Sequence, residues 1–471
     1  MTPRYGVIAE DFRRAIRNGI YHCGDRMPSL RGVCRQYRVS LGTAVEAYGR
    51  LQDEGWLEPR HRSGFFVSER AGEVFPQPHS APQPVAAARV SLGAIARGMM
   101  DDARRPGIIN LGAGVPAAGL LPLKTLGRAI ASVTRKHPDA IAGYEPIAGQ
   151  MELRRQIARL MGGAGVACEP EEVMITNGCL EALTLSLQAV TSPGDLIAIE
   201  SPTFFGVLQV AEALGLGVVE LPVSYPDGVT PASVSSVLAA HPIRACVLTP
   251  SCSNPTAAVM PDGAKQEIVK LLAQAGVPLI EDDIFGFHSF SSVRPRAARS
   301  YDPSGNTLLC SSFSKSLAPG LRLGWVMPGR YREQVHQRKF LANISTGTIP
   351  QLALADFLAR GAFHRSMERM TTVLQLRAAR MRADVAELFP QGTRMTNPGG
   401  GIFLWVELPD NLDSEVLYRK ALQKGISILP GILFSPSGSH RNHIRLSYAT
   451  VEPEISRAAI MELARLLVEA G

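Results

Sequence analysis

At 471 residues the chain is longer than one hydrophobic core can serve, so two or more domains are expected. A content of 45% hydrophobic and 19% charged residues is that of a folded globular protein and excludes a disordered or fibrous one. The net charge is +7, and residues 1–70 hold 12 arginines against 8 acids, a small basic end that suits a polyanionic partner. There is no run of about 18 apolar residues and no apolar leader, so no membrane span and a cytoplasmic location are expected. The seven cysteines include no C-x-x-C pair, which argues for a reducing compartment without disulfides or a zinc site. His440 and His443, the closest histidine pair, lack neighbouring ligands and read as a solvated loop, so no metal is predicted.

In chain order, Tyr5, Ile8, Phe12 and Ile16 share one helical face that ends near Gly19. A second helix opens at Met27-Pro28-Ser29-Leu30-Arg31. A third begins at Ser40, a natural N-cap, turns Ala44, Val45, Tyr48 and Leu51 inward, and stops at Gly55. Residues 56–67 alternate as two short strands around a basic turn. Three helices and a basic hairpin compose a winged helix-turn-helix or, alternatively, a small helical protein-interaction module. The series Gly24-Asp25-Arg26-Met27-Pro28-Ser29-x-Arg31, Val39-Ser40-x-x-Thr43-x-x-x-Ala47-Tyr48, Glu54-Gly55 and Ser63-Gly64-x-x-Val67 resembles the DNA-binding domain of GntR-family regulators. That resemblance implies a double-stranded DNA operator as partner, met by Arg31, Ser40, Thr43 and the wing residues Arg60, Arg62 and Gly64. The arginine that often follows the helix-three serine in such regulators is replaced by Leu41-Gly42.

A proline- and alanine-rich stretch, residues 69–106, reads as a linker between a first domain of residues 1–68 and a second of residues 107–471. In the second, strand-like runs at 173–175, 196–199, 245–248, 277–280 and 307–310 alternate with helical segments. This predicts an α/β fold with a mostly parallel sheet, whose ligand lies at the strand carboxyl ends. The chemistry-bearing residues do follow those runs: Gly178-Cys179 in a glycine turn opening a helix, Phe204, Asn254 and Asp282. After the last run, Lys315 stands among hydroxyls, followed by Arg322 between Gly320 and Gly324, which would let the backbone turn tightly. A lysine amine kept partly deprotonated by burial can condense with a carbonyl, and an arginine fork can neutralise a phosphate.

Ser312-x-x-Lys315 with Pro-Gly-Leu-Arg322-Leu-Gly324 resembles the lysine motif of the fold-type I, aminotransferase-like enzymes that use pyridoxal 5′-phosphate. The resemblance implies that Lys315 forms the internal aldimine and is the catalytic residue, while Ser312, Arg322, Gly178 and Cys179 hold the phosphate. It further implies Phe204 stacked on the ring, Asn254 on the ring oxygen, and Asp282 on the pyridinium nitrogen. Tyr144 would reach the phosphate of the other subunit of a homodimer, and Arg445 would grip a substrate α-carboxylate. The family's usual tyrosine three residues after the aspartate is Phe285 here. From end to end the chain resembles the MocR-type regulators, which implies a transcription factor sensing pyridoxal phosphate or an amino compound. An active aminotransferase with an accessory DNA-binding domain is the alternative, and residual transaminase activity is left open.

Overall fold

The computed structural model describes residues 4–17, 21, 24–60, 63–68, 76–80, 87–91, 93–291 and 293–469. It divides into two compact units, Met1–Pro76 and Gln77–Gly471.

In the small unit, helices Arg4–Arg17, Leu30–Tyr37 and Leu41–Asp53 precede an antiparallel hairpin of Leu57–Arg60 and Gly64–Val67, with Arg60 opposite Gly64. The helix starts follow from local chemistry. The Ser29 hydroxyl accepts from Gly32 N–H at 3.1 Å and the Ser40 hydroxyl from Thr43 N–H at 3.2 Å, satisfying donors that the helix leaves free. Tyr48 stands edge-on to Phe12 (5.6 Å) and Phe65 (5.1 Å), and its hydroxyl donates to Pro28 O at 2.8 Å. Ala44, Ala47, Tyr48 and Leu51 form the buried face, whereas Val45, expected inward, is exposed. At 3.6 residues per turn the i, i+3, i+4, i+7 set leaves Val45 rotated away from the core.

The large unit is organised by one twisted sheet. Its strands Gly217–Ser224, Leu196–Ser201, Ile243–Leu248, Leu279–Asp282 and Thr307–Ser312 are successive parallel neighbours. Gly324–Met327 follows antiparallel, and Met174–Thr176 closes that edge antiparallel to it. Apolar residues face both ways along one strand: Leu279 belongs to one buried cluster and Ile280 to the other. Helices cover both faces, as a parallel sheet requires. A second, antiparallel sheet (Arg394–Met395, Phe403–Glu407, His443–Ser447, Leu429–Pro430) lies with the C-terminal helices Ser414–Gln423 and Pro453–Val468.

The linker expected over 69–106 is shorter than its composition suggests. Strand Ala88–Arg89 adds to the large sheet beside Gly217–Val218, and helix Gly93–Asp102 follows, its Gly93 N–H held by Glu212 at 3.0 Å. Both elements belong to the large unit, because a sheet edge and an acid distant in sequence supply their partners.

Candidate cofactor site and DNA-reading face

Of the candidate residues of the large unit, Gly178, Asn254, Asp282, Ser312 and Lys315 stand at or beyond the carboxyl ends of strands. Asp282 closes Leu279–Asp282, Ser312 closes Thr307–Ser312, and Gly178 stands two residues beyond Met174–Thr176. Gly178 is the N-cap of the 12-residue helix Cys179–Val190 and places no side chain over its free N–H groups, which suits an anion. Its backbone (φ 93°, ψ 173°) is essentially restricted to glycine, and a Cβ there would lie 2.5 Å from Arg322 Nη2. Arg322 itself takes the left-handed conformation (φ 54°), and its Nη2 donates to Asn177 O at 2.9 Å. The tight turn therefore runs through Arg322 rather than Gly320. Gly324 serves close packing instead, since a Cβ there would lie 2.6 Å from the Gly178 carbonyl carbon. Ser312 is buried and its hydroxyl accepts from Ser314 N–H at 3.2 Å.

Lys315 Nζ donates to Gly114 O at 2.5 Å. Burial, reinforced by the charges of Arg445 and Arg322, pulls its pKa down to about 8, so an appreciable fraction of the amine is free near neutral pH. Asp282 is buried, which pushes its carboxyl up to about 6. Two bonds oppose that rise: the Cys179 thiol donates to its Oδ1 at 3.3 Å and Ile284 N–H at 3.1 Å. A cation beside Asp282 would restore the carboxylate.

Arg445 is buried, with Nη1 donating to Asn254 Oδ1 at 2.7 Å and Nη2 to Gly112 O at 2.6 Å, while its Nε has no partner. Its guanidinium lies 3.9 Å from the centre of the Phe403 ring, and burial lowers its pKa to about 9. Phe285 is buried edge-on to Phe403 and His288, each 5.6 Å away. His288, held neutral by burial at about 4, bonds through Nε2 to Lys315 O at 3.1 Å. Phe204 is half-buried at the N-cap of Phe205–Ala213, 5.0 Å from the Phe205 ring.

The structure thus brings Gly178, Cys179, Asn254, Asp282, Ser312, Lys315, Arg322 and Arg445 into one neighbourhood. It does not bring in Tyr144, which is 83% exposed beside Glu145. Gly112, Gly114, His288 and Phe403 were missed. The glycine pair in Leu111-Gly112-Ala113-Gly114 was the available signal: at Gly114 a Cβ would stand 3.7 Å from Lys315 Nζ and 3.2 Å from Phe403. His440 and His443 lie buried around Trp405 rather than in a solvated loop, with His443 stacked on the indole at 5.1 Å. Among the described residues no group of three or more His, Cys, Asp or Glu could hold a metal.

In the small unit, Arg31 is exposed, and Ser40 Oγ and Thr43 Oγ1 stand 2.9 Å apart at the start of the third helix. Arg60 is engaged within the hairpin, with Nε and Nη2 2.9 and 2.8 Å from Glu58 Oε1 and its guanidinium 4.5 Å from the Phe66 ring centre. Gly64 turns the wing at φ 101°. Arg62 lies outside the described residues.

Residues 4–67 match the model of the bacterial regulatory proteins of the gntR family, and residues 106–463 that of aminotransferase class I and II. The chain is 34% identical to the uncharacterized HTH-type transcriptional regulator YjiR of Escherichia coli, over 99% of both chains. It is 27% identical to the probable rhizopine catabolism regulatory protein MocR of Rhizobium meliloti, over 98% of this chain and 93% of the relative. Among solved structures, LysN, the α-aminoadipate aminotransferase of Thermus thermophilus complexed with N-(5′-phosphopyridoxyl)-L-leucine, superposes with a TM-score of 0.74 at 28% identity. That match covers 81% of this chain and 96% of LysN. The cofactor of the aminotransferase family is pyridoxal 5′-phosphate, and the residues fit it. The glycine-lined cup at Gly178 and Arg322 suits its phosphate, Asp282 its ring nitrogen, and Lys315 its aldehyde. The protein belongs to the gntR family of bacterial transcriptional regulators, in the MocR-type group that joins the DNA-binding domain to a class I and II aminotransferase domain.

Proposed function

We propose that the protein is a cytoplasmic, homodimeric regulator that reads a DNA operator with residues 1–68 and senses pyridoxal phosphate or a small amino compound through Lys315. Bound pyridoxal phosphate supplies an aldehyde that condenses reversibly with amines and a ring that withdraws electrons. The chain's own residues do the rest. Lys315 offers an amine whose lowered pKa keeps part of it nucleophilic, Gly178, Ser312 and Arg322 anchor an anion, and Asp282 holds a proton on a ring nitrogen. Arg445, buried against Phe403 with Nε unpartnered, suits the carboxylate of an amino acid.

The observation that carries sensing over turnover is Phe285. Its buried ring keeps the aromatic wall and presents no hydroxyl to the site. Tyr144, exposed in a single chain next to Ile141, supports a second subunit covering this surface. No helix among the described residues is long and apolar enough to cross a membrane.

The test recovers operator DNA from the genome with the full-length protein. Its affinity is then measured with and without pyridoxal phosphate and amino acids, for the wild type and Lys315→Ala. Ligand-dependent affinity that Lys315→Ala abolishes supports sensing. Steady turnover of an amino donor and a keto acid, with operator affinity indifferent to either, assigns the site to an aminotransferase instead.

A further inference from the structure

The third helix presents an unusual face to solvent. Leu41, its first residue, is 56% exposed, and Val45, one turn later, is 48% exposed. Residues four apart lie one above the other on a helix, so the two form a single apolar stripe. Gly42 beside them leaves open space, with only Ser40 Oγ near a would-be Cβ at 3.9 Å, and the next side chain on that side is the exposed Glu46. The stripe borders the core face, since Leu41 stands one turn before Ala44 and two before Tyr48, yet about half of each of its two side chains is open to solvent while Ala44, Ala47, Tyr48 and Leu51 are buried. It begins where the capping hydroxyls of Ser40 and Thr43 meet at 2.9 Å, the end that a helix-turn-helix directs at base edges.

The chemistry of that face is restricted. The only basic residue of the helix is Arg50, in its last turn and paired with Glu54 at 3.1 Å. The N-terminal half therefore offers no guanidinium fork for the guanine O6 and N7 acceptors. In the major groove, branched apolar side chains have one distinctive partner, the C5-methyl group of thymine. Each methyl taken out of water against such a side chain is worth about one buried CH₂.

We infer that Leu41 and Val45 are specificity-determining residues that read thymine by its methyl group, so that each half-site of the operator places thymines under the start of this helix. This rests on the reading of the small unit as a major-groove binder. It goes beyond that reading by naming what the helix recognises. Contacts from Arg31 and the wing then position the protein on phosphates, while sequence preference comes from two apolar side chains.

The experiment selects duplexes from a random-core library with the full-length, pyridoxal phosphate-loaded protein. Affinity is then remeasured after replacing single thymidines of the winning sequence by deoxyuridine, which removes only the methyl. Deoxyuridine at one or two positions per half-site should weaken wild-type binding about fourfold each. In Leu41→Ala or Val45→Ala, both exposed positions where alanine suits a helix, the thymidine-to-deoxyuridine ratio at the matching position should fall to about one. Unchanged helicity by circular dichroism shows that the variants fold. If the library yields a preferred sequence and deoxyuridine is neutral throughout, the inference is overturned while DNA binding stands. Equal weakening by Leu41→Ala on both duplexes also overturns it, because the side chain would then act away from the methyl. A library without any enriched sequence overturns the groove-binding reading and the inference together.

Discussion

Gly178→Ala tests the phosphate cup at its tightest point. The backbone at φ 93° and ψ 173° is in a region essentially reserved for glycine, and holding a residue with a Cβ there costs about 1–3 kcal/mol. The new Cβ would lie 2.5 Å from Arg322 Nη2 and 3.1 Å from its Cζ, so the guanidinium has to swing away. In doing so it gives up its 2.9 Å bond to Asn177 O, the contact that aims it across the cup. A hydrogen bond to a charged group is worth about 1.5–3 kcal/mol, and a phosphate losing a partner of that kind should bind about 10- to 100-fold more weakly. The assay is equilibrium titration of cofactor-stripped protein with pyridoxal phosphate, followed by visible absorbance, alongside thermal unfolding of the large unit. Gly320→Ala, two residues before Arg322, is the control. Its backbone is not left-handed and nothing lies within 4 Å of its would-be Cβ, so it should stay within about 0.5 kcal/mol of the wild type. Wild-type affinity in Gly178→Ala would refute the assignment of this turn as the phosphate seat.

Lys315→Met should raise the melting temperature of the cofactor-stripped protein at pH 7. The lysine pKa is about 8 when folded against 10.5 ordinarily, so the unfolded chain binds more protons between those values; the penalty of burying the ammonium is full below pH 8 and gone above 10.5. Melting curves of both proteins from pH 7 to 11 check this, and a gain that does not shrink with pH counts against a strained buried ammonium. Arg31→Ala should weaken operator binding and flatten the plot of log affinity against log salt by about one, with pyridoxal phosphate content unchanged; an unaltered slope removes Arg31 from the phosphate contacts. Phe285→Tyr should restore a donor facing the site and speed single-turnover transamination by about one to two decades in stopped-flow spectra. Wild-type protein that already cycles at tens per second would favour the aminotransferase reading.

Local chemistry made much of the molecule legible. Ser29 and Ser40 cap helices because a short hydroxyl reaches the N–H three residues on, a relation that sequence displays directly. Asn254, Asp282 and Lys315 follow three successive parallel strands, whereas Gly178 follows the edge strand beyond Gly324–Met327, so sequence order gave the alternation of strands and candidate residues but not their places in the sheet. What stayed hidden depends on distant partners. Gly114 meets Lys315 across 201 positions, and Gly112 meets Arg445 across 333, so neither glycine carries a local mark of its neighbour. Strand Gly217–Ser224 contains Glu220 and Pro222, which blur a buried run. Glu220 is tolerated because Ser201 and Ser435 each donate to it at 2.6 Å. His440 and His443 read as a solvated loop because no further ligand stands near them in the sequence. Burial keeps them neutral instead, their pKa values pushed down, and they pack as flat rings on Trp405.

The candidate site of the large unit draws its residues from two sheets. Lys315, Asp282 and Asn254 follow strands of the large sheet, whereas Arg445 and Phe403 are carried by the antiparallel one. Arg445 joins the two through its Nη1 bond to Asn254 Oδ1 and keeps Nε without a partner. Arg445 is the register partner of Trp405, and the strand of Trp405 ends two residues later at Glu407. Glu407 accepts the backbone N–H of His79 at 2.7 Å and lies 2.6 Å from its Nδ1, three residues beyond the Pro76 boundary of the small unit. A chain of contacts therefore runs within the large unit from Arg445 to His79. Contiguity alone does not amount to coupling, which requires two arrangements that the ligand binds unequally. Thermodynamic reciprocity supplies the criterion: whatever factor an amino acid imposes on operator affinity, operator DNA must impose on amino acid affinity. A regulator using this path shows that symmetry, whereas an aminotransferase carrying a DNA-binding passenger shows a factor of one in both directions.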